Sequence, residues 1–380
     1  MCIIRKGTLA DYAVVLDRIR TSFCQRTPNH LAFDFIYPDS VNHSEACMSQ
    51  WLLAEIDGEI AAGMQIVPRP MVVANINLPA AGLGNVFCYP PFRGQGLMTS
   101  LLQAAIAEME KAGQTICILG GDRMRYGRLG WEHAGTTRRL GLSANMTRHL
   151  QEEKVSVMDF RCWQGDASDT KSMFEAYNAL PYRTRRTEKE FELVFKRPGQ
   201  VVWLSDTPEC GFAYASLRGG AIVEYAGATE ALERLLKFLL QASALDISIP
   251  PPLAETKREE MFLSHAQSFS VIPSGMIRLI SLEKTLHCFQ KILVQRLDGW
   301  RGSFALEVKE TGERVTFKGG ENGLEFIGAP SVTPILLGLQ DMVRLLFGPF
   351  APALPETVSD NEFLRRAFPL PLYLNDLSHV

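Results

Sequence analysis

Residues 86–98 read Val-Phe-Cys-Tyr-Pro-Pro-Phe-Arg-Gly-Gln-Gly-Leu-Met. The apolar run Leu83–Tyr89 predicts a β-strand that the two prolines end, because proline cannot continue a ladder of hydrogen bonds. The apolar spacing over Gly96–Ala112 predicts an amphipathic helix. The segment therefore predicts a strand, a glycine-rich turn and a helix in immediate succession.

This turn has the features of an anion site. A helix N-terminus leaves several backbone N–H groups unpaired and carries a partial positive charge. Gly94 and Gly96 let that backbone approach a phosphate closely, and Arg93 adds a charged contact. Further backbone N–H groups come from Gln95, Leu97 and Met98. The pattern predicts a pyrophosphate site, although a plain glycine-rich turn reads the same way when taken alone.

A second block follows about thirty residues later. Residues 126–131 read Tyr-Gly-Arg-Leu-Gly-Trp and come after a short apolar strand at Ile116–Leu119. The phenol of Tyr126 would lie within reach of the group that the pyrophosphate carries. Together the two blocks favour acyl transfer from a CoA thioester, while the alternative for Tyr126 is a packing role.

The sequence around these blocks predicts a mixed α/β chain of three domains. In domain 1–148, strands at Ile3–Lys6, 51–56 and 60–66 precede the opening segment, and Asp57-Gly58 predicts a hairpin. Domain 149–278 repeats strands and a helix at Glu230–Gln241, but no Arg-Gly-Gln-Gly precedes that helix. Domain 279–380 has helices predicted at 282–297 and 332–347, with a hairpin at Thr311-Gly312 between them.

Composition excludes several classes of protein. The chain has 380 residues, 46% of them hydrophobic and 21% charged, with a net charge of -3, which is typical of a globular protein. No basic surface for nucleic acid is indicated, no apolar run is long enough for a membrane span, and the N-terminus has no signal-peptide pattern. The eight cysteines form no CxxC pair, so we expect reduced thiols, no metal site and a cytoplasmic location. The basic run Arg183–Arg186 is interpreted as a solvated face.

The two blocks resemble known acetyltransferase motifs. Residues 86–96 look like the acetyl-CoA motif of the GNAT acetyltransferases, and residues 126–131 resemble the Tyr-x-x-x-Gly-(Phe/Tyr) block after their fifth strand. The three-domain layout resembles the Eis (enhanced intracellular survival) family. That resemblance implies an N-terminal GNAT fold, a second degenerate GNAT-like unit and a C-terminal sterol-carrier-like domain.

The resemblance also implies site residues. Acetyl-CoA is the implied cosubstrate, with a backbone N–H on the strand at Val86 to Cys88 polarising the acetyl carbonyl. Tyr126 matches the general acid that protonates the departing thiolate. The implied CoA-binding residues are Val86, Phe87, Cys88, Arg93, Gly94, Gln95, Gly96, Leu97, Met98, Thr99, Gly121 and Asp122.

The base is implied at the end of the chain. In the Eis family the terminal carboxylate enters the active site, and here that carboxylate belongs to Val380. The tail departs from the family, because Leu377 stands where its last aromatic residue is usual, which leaves three further residues. Asp376, His379 and a water chain are the alternatives.

The implied activity is acetyl transfer to a primary amine of a small polyamine-like or aminoglycoside-like molecule, a peptide or a lysine. An aromatic cluster at Phe33, Phe35 and Tyr37 is either an acceptor wall or ordinary core. The resemblance implies a homo-oligomer, for example a hexamer. The competing hypothesis is a binding module that holds acetyl-CoA or a lipid without turnover.

Overall fold

The computed structural model describes residues 2–23, 33–146, 157–252, 257–320, 323–327, 332–354, 361–375 and 377. Val380, Asp376 and His379 lie outside the described residues. The strands are β1 Cys2–Lys6, β2 Trp51–Ile56, β3 Glu59–Pro68, β4 Met71–Val73, β5 Ile76–Leu78, β6 Ala80–Cys88, β7 Ile116–Leu119, β8 Glu132–Leu142, β9 Phe160–Cys162, β10 Tyr182–Thr184, β11 Gln200–Thr207, β12 Gly211–Arg218, β13 Ala221–Gly227, β14 Leu245–Ile249, β15 Ala266–Leu279, β16 Gly302–Val308, β17 Arg314–Gly320, β18 Gly323–Ile327 and β19 Ile335–Leu337. The α-helices are α1 Tyr12–Phe23, α2 Phe33–Ile36, α3 Glu45–Met48, α4 Leu97–Lys111, α5 Arg123–Tyr126, α6 Ala167–Asn178, α7 Glu188–Phe195, α8 Thr229–Ala242, α9 Lys257–Ser264, α10 Leu282–Cys288, α11 Gln290–Arg296, α12 Leu339–Phe347 and α13 Glu362–Ala367.

One long sheet runs through the first two thirds of the chain. Its strand order is β1-β2-β3-β6-β7-β15-β8-β14-β13-β12-β11-β9. The neighbours pair antiparallel except at β6–β7 and β13–β14, which are parallel. Strand β15 lies between β7 and β8, although it comes more than a hundred residues later in sequence. The domain boundaries at 148/149 and 278/279 stay a prediction, and β15 shows that the chain returns to the first sheet before the third region begins.

The predicted hairpin at Asp57-Gly58 is confirmed. The two residues join β2 to β3 with φ of 48° and 85°, and the strands pair from Ile56↔Glu59 to Trp51↔Gln65. Two positive φ values in a two-residue loop match the right-handed twist of the flanking strands, and Asp-Gly is a favoured pair for that turn.

Helix α4 packs its apolar stripe against this first part of the sheet. The stripe is predicted by the i, i+4 spacing of Leu97, Leu101, Ala105 and Met109, and all four side chains are buried. They share a core with residues of β2, β3, β6 and β7. This packing fixes the N-terminus of α4 at the end of β6.

The third region contains its own sheet, in the order β18-β17-β16-β19, packed against α10–α13. The helix predicted over 332–347 is wrong in its first half, because 335–337 form β19 and pair parallel with β16. Helix α12 begins only at Leu339, whose N–H donates to the Glu310 carboxylate over 2.9 Å. The helix predicted over 282–297 is interrupted at the buried Phe289, giving α10 and α11.

The solvated face predicted for Arg183–Arg186 is also wrong at its last residue. The Arg186 side chain is 5% exposed and donates to Glu224, which is fully buried, over 2.8 Å. Tyr214 donates to the other oxygen of the same carboxylate. A buried charge needs such partners, so Arg186 belongs to the interior of the second region.

Candidate active site

The site begins at an irregularity in β6. Between Gly63↔Phe87 and Gln65↔Gly84 the register of β3 and β6 shifts, so that Asn85 and Val86 together oppose one residue of β3. This is a β-bulge, and Asn85 takes a left-handed φ of 52° that asparagine tolerates better than most residues. Its side-chain amide donates to the buried Gln65 over 2.7 Å. The bulge is therefore held by a buried hydrogen bond.

Strands β6 and β7 separate just before the bulge. Their parallel pairing runs from Ala80↔Ile116 to Leu83↔Leu119, where β7 ends, whereas β6 continues to Cys88. The edge of β6 that faces β7 therefore carries backbone groups with no strand partner in this described part of the chain. Such groups need another hydrogen-bonding partner, so this opening suits a ligand or water.

A cavity of about 270 Å³ occupies the opening. One wall is the bulged strand, residues 83–86, and the other is formed by residues 120–122 with Arg125 and Tyr126. Phe33 and Tyr37 line it too, together with Phe23 and Ser40. The structure thus brings together four residues that the sequence analysis named for catalysis or CoA binding: Val86, Gly121, Asp122 and Tyr126.

Tyr126 is fixed at the end of the short helix α5. The Asp122 carboxylate accepts the Met124 N–H over 2.8 Å and caps that helix. The Tyr126 side chain is 6% exposed and meets Trp131 edge-on, with ring centroids 6.2 Å apart. Gly121 has a φ of 143°, and a Cβ there would come within 3.2 Å of the Tyr126 ring. Burial raises the pKa of Tyr126, and the Arg125 guanidinium offsets part of that rise.

The glycine turn lies outside this cavity, at the start of α4. Gly94 and Gly96 have φ of 82° and 77°, and the whole stretch Arg93–Gly96 is exposed. Arg93 donates from Nε to the Cys88 carbonyl over 3.3 Å. Gly96 forms the N-cap of α4 without a side-chain hydrogen bond, so the first N–H groups of the helix lack a side-chain cap.

The remaining predicted CoA-binding residues differ in how far their side chains are exposed to solvent. Phe87 and Leu97 have buried side chains, in contact with the core at Trp51 and along α4, so only their backbone faces outward. Cys88, Met98 and Thr99 are half-buried. Burial raises the pKa of the Cys88 thiol.

Comparison with known proteins decides the family of this part of the chain. Residues 4–134 match the family model described as Acetyltransferase (GNAT) domain. The first part of the chain is a GNAT acetyltransferase domain. Because it contains this domain, the chain is an acyltransferase. No curated protein matches the sequence.

Solved structures extend the likeness over the whole chain. A conserved protein from Enterococcus faecalis V583 is 15% identical, with a TM-score of 0.70 and coverage of 98% of this chain and 97% of its own. A GCN5-related N-acetyltransferase from Kribbella flavida is 17% identical, with a TM-score of 0.68 and coverage of 100% and 98%. Eis1 from Mycobacterium abscessus is 13% identical, with a TM-score of 0.61 and coverage of 98% and 99%. At these identities the likeness establishes a shared mixed α/β fold.

The GNAT domain is tied to the third region through Glu132. Its carboxylate, 1% exposed, accepts hydrogen bonds from Arg123 at the start of α5 and from Arg344 of α12, the latter over 2.7 Å. Burial alone would raise the pKa of Glu132, but these two guanidinium groups and the His133 N–H lower it to about 2. Glu132 therefore anchors the helix that carries Tyr126.

We expect Glu132→Gln to destabilise the protein by about 1–3 kcal/mol at pH 7, because Arg123 loses its carboxylate partner and Arg344 keeps only that of Asp341. Because the pKa of Glu132 is lowered, the stabilisation that its carboxylate gives is fully present above about pH 4.5, the ordinary pKa of a glutamate. This stabilisation is lost as the pH falls toward 2. Urea unfolding of both forms at pH 7 and pH 3 measures the difference, which should shrink at pH 3. The control is Glu192→Gln, which removes an exposed i, i+4 pair with Lys196 and should cost under about 0.5 kcal/mol. Equal losses in the two variants would contradict the anchoring role.

The Tyr-x-x-x-Gly block is packed against α12. A Cβ at Gly127 would come within 2.8 Å of the Gln340 amide, and one at Gly130 within 2.7 Å of the Leu339 side chain. Gly130 also has a φ of 94°. The glycines of this block are thus required by close approach of the third region as well as by the turn itself.

The C-terminal tail crosses the long sheet. The Thr136 N–H of β8 donates to the Leu372 carbonyl over 3.0 Å, and the Leu374 N–H donates to Ser274 Oγ over 2.6 Å. Leu377 is 1% exposed and packs in the core of the second region with Phe195. The tail therefore leaves the third region and ends its described course inside the second.

Sequence reasoning missed the bulge residue Asn85 and the roles of Arg125 and Glu132. The sequence does indicate the bulge at Asn85, because a lone asparagine interrupts the apolar run of β6 and tolerates a left-handed φ. It gives no such sign for Glu132, since its two partners lie 9 and 212 residues away. Among the described residues no cluster of His, Cys, Asp or Glu could hold a metal ion, and no helix is long and apolar enough to cross a membrane.

Proposed function

We propose that the chain is an N-acetyltransferase that moves an acetyl group from acetyl-CoA to a primary amine. The observation that carries this proposal is the shared opening, whose lining includes both the buried Tyr126 and the bulged edge of β6. The GNAT domain supplies the reaction class, and this opening offers both a hydrogen-bonding edge and an acid.

The residues present fit acetyl-CoA along one path. The exposed turn Arg93–Gly96 and the uncapped N–H groups of Leu97 and Met98 would hold the pyrophosphate, with Thr99 beside them. The unpaired edge of β6 from Val86 to Cys88 would hydrogen-bond the pantetheine arm and the acetyl carbonyl. Gly121 and Asp122 close the opposite wall.

The transfer needs two proton movements. The amine nitrogen forms a bond to the acetyl carbon, and the bond from that carbon to sulfur breaks, with the electron pair leaving on sulfur. Tyr126 gives its proton to the thiolate. A phenol is a weaker acid than a thiol, and burial raises the pKa of Tyr126 further, so its contribution comes from position rather than from driving force.

The second proton leaves the amine, and we propose the Val380 carboxylate as its acceptor. The course of the tail supports this assignment. Leu377 belongs to the buried core cluster that also contains Phe195. Two residues after Phe195, Arg197 pairs with Asp39 and lies over the ring of Tyr37, which lines the cavity. Asp376, His379 and a water chain are the alternative acceptors.

The residues that line the cavity favour an acceptor molecule that has a cationic amine and some apolar surface. For Phe33, Phe35 and Tyr37 the sequence allowed two roles, an acceptor wall or ordinary core. Phe33 and Tyr37 line the cavity, whereas Phe35 is 64% exposed. Aromatic faces attract ammonium groups, and Asp122 adds a carboxylate to the same cavity. The proposed acceptors are polyamine-like or aminoglycoside-like molecules, peptides and lysine side chains.

The test follows thiol release from acetyl-CoA with spermidine, kanamycin and a lysine peptide, each against a no-acceptor control. We expect release above background with at least one of them. Calorimetry with CoA runs in parallel. Tight CoA binding with no release from any amine would overturn the transferase proposal and support the non-catalytic binding module.

We expect Gly94→Ala to raise the KM for acetyl-CoA about tenfold or more, because alanine at a φ of 82° is strained and the turn would shift away from the phosphates. Gly58→Ala is the matched control. Its φ is 85°, a Cβ at either glycine meets nothing within 4 Å, and both substitutions should cost about 1–2 kcal/mol of stability. The KM is measured by initial rates, and an unchanged KM in Gly94→Ala would place the pyrophosphate elsewhere.

Three broader proposals rest on the resemblance to the Eis family. Residues 149–278 would be a degenerate GNAT-like unit, supported by the parallel strands β13 and β14, which α8 connects. Residues 279–380 would be a sterol-carrier-like domain, supported by the separate sheet of β16–β19. A cytoplasmic homo-oligomer, for example a hexamer, completes the proposal, and light scattering after gel filtration tests the assembly.

A further inference from the structure

The second region contains a cavity of about 440 Å³ that the proposed reaction does not use. It opens where β13 and β14 separate. These parallel strands pair only at Ala221↔Asp246 and Ile222↔Ile247, and Tyr225 and Ile249 further along them line the cavity. The backbone arrangement is the one seen at β6 and β7, so the second region offers a second opening of the same kind.

The turn beside this opening differs from that of the GNAT domain. Strand β13 ends at Gly227 and α8 begins at Thr229, so a single residue separates them. In the GNAT domain, eight residues from Tyr89 to Gly96 separate β6 from α4. The second opening therefore has no loop long enough to wrap a pyrophosphate, which argues for a smaller anion than a nucleotide.

Positive charge surrounds one end of the cavity. Arg258 and Lys257 line it, and no carboxylate among the described residues forms an ion pair with either. Arg258 is held in place by a hydrogen bond that it donates to the Gly227 carbonyl. The 14-residue helix α8 starts at the same end, and its N-cap Ala228 supplies no side-chain hydrogen bond. A third cation, Arg138, is already paired with Glu259.

The lining of the cavity also contains a buried polar group without a partner. Tyr182 is 5% exposed and lines the cavity, and its hydroxyl finds no hydrogen-bond partner in the described parts of the chain. Its ring meets Tyr373 edge-on, with centroids 6.0 Å apart. A buried hydroxyl without a partner is costly, so a ligand atom here would relieve that cost. Phe262 and Ile249 add apolar surface to the lining, which also includes the ion pair of Arg138 with Glu259.

We propose that this cavity is a second ligand site, for a small organic carboxylate with an apolar body. The carboxylate lies against Arg258 and the first N–H groups of α8. The body lies between Tyr225 and Phe262, and a polar atom at its far end reaches the Tyr182 hydroxyl. The proposal does not depend on acetyl transfer.

The test is titration calorimetry with 4-(4-hydroxyphenyl)butyrate and 8-hydroxyoctanoate, each compared with its neutral amide. The carboxylates should bind, and the amides should bind about tenfold more weakly or not at all, because a hydrogen bond to a charged group contributes more than a neutral one. Tyr126→Phe should bind both carboxylates as the wild type does, which separates this site from the cavity at Tyr126. Absence of carboxylate binding up to millimolar concentrations, or equal binding of acid and amide, would overturn the proposal.

Variants then locate the charge. Arg258→Gln should weaken carboxylate binding about tenfold or more and leave amide binding unchanged. Lys257 lies on the exposed start of α9, and Lys257→Gln tests the positive charge at this end of the cavity if Arg258→Gln does not fold. Arg139→Gln is the matched control, because Arg139 is exposed on β8 and points to the face opposite Arg138. The proposed site is wrong if Lys257→Gln binds the carboxylates as tightly as Arg139→Gln does, and if Arg258→Gln, where it folds, also does so.

Discussion

Replacing Tyr126 by Phe should lower kcat about 100-fold or more while the affinity for CoA changes less than about twofold. A positioned general acid contributes about 10²–10⁴ in rate, and the hydroxyl group is the only part of Tyr126 that the substitution removes. The ring should keep its edge contact with Trp131 and its place beside Gly121. Initial rates with a saturating amine, together with calorimetry of CoA binding, measure both quantities.

Tyr12→Phe provides the control, because it removes a half-buried phenol from α1 of the same domain. Burial raises the pKa of Tyr12 as it does that of Tyr126, but Tyr12 packs against His43, outside the cavity. Its rate should stay within about twofold of the wild type. A Tyr126→Phe enzyme that keeps full kcat would show that the thiolate leaves without this proton or takes it from water.

The elements that sequence predicts well are those whose cause is local. The β2–β3 hairpin depends on two adjacent residues that accept positive φ, and α4 depends on an apolar stripe with a glycine before it. The glycine turn and the tyrosine block are short enough to be recognised directly. The tyrosine block and the bulged strand before the glycine turn line one opening because β6 and β7 are neighbouring parallel strands.

The elements that sequence analysis misses have distant causes. The sequence pattern does not predict β8, β14 or β15, although these strands join the two halves of the long sheet. β8 pairs with β14 and β15, which lie more than a hundred residues further along the chain. Arg186 illustrates the same limit for a side chain, because its partner Glu224 lies 38 residues away on β13. A run of arginines gives no local sign that one of them is buried.

A chain that ends in a Val380 carboxamide should turn over about 100-fold or more slowly than the natural chain, with CoA binding unchanged. The amide keeps every side chain and the length of the tail, so it removes only the negative charge and the proton acceptor. The loss has the size expected of a general base. Such a chain is made by ligating a synthetic C-terminal peptide, and the same ligation with a free acid gives the control.

Deleting residues 378–380 separates the position of the carboxylate from its presence. The new carboxylate would belong to Leu377, whose side chain is buried in the core of the second region and which stands where the Eis family has its last residue. If the proposal for Val380 is right, this enzyme is as slow as the carboxamide, because its carboxylate sits three residues short of the amine. Full activity in the deletion would instead place the base at the family position. Full activity in the carboxamide, with loss in Asp376→Asn or His379→Ala, would move the base to a side chain of the tail.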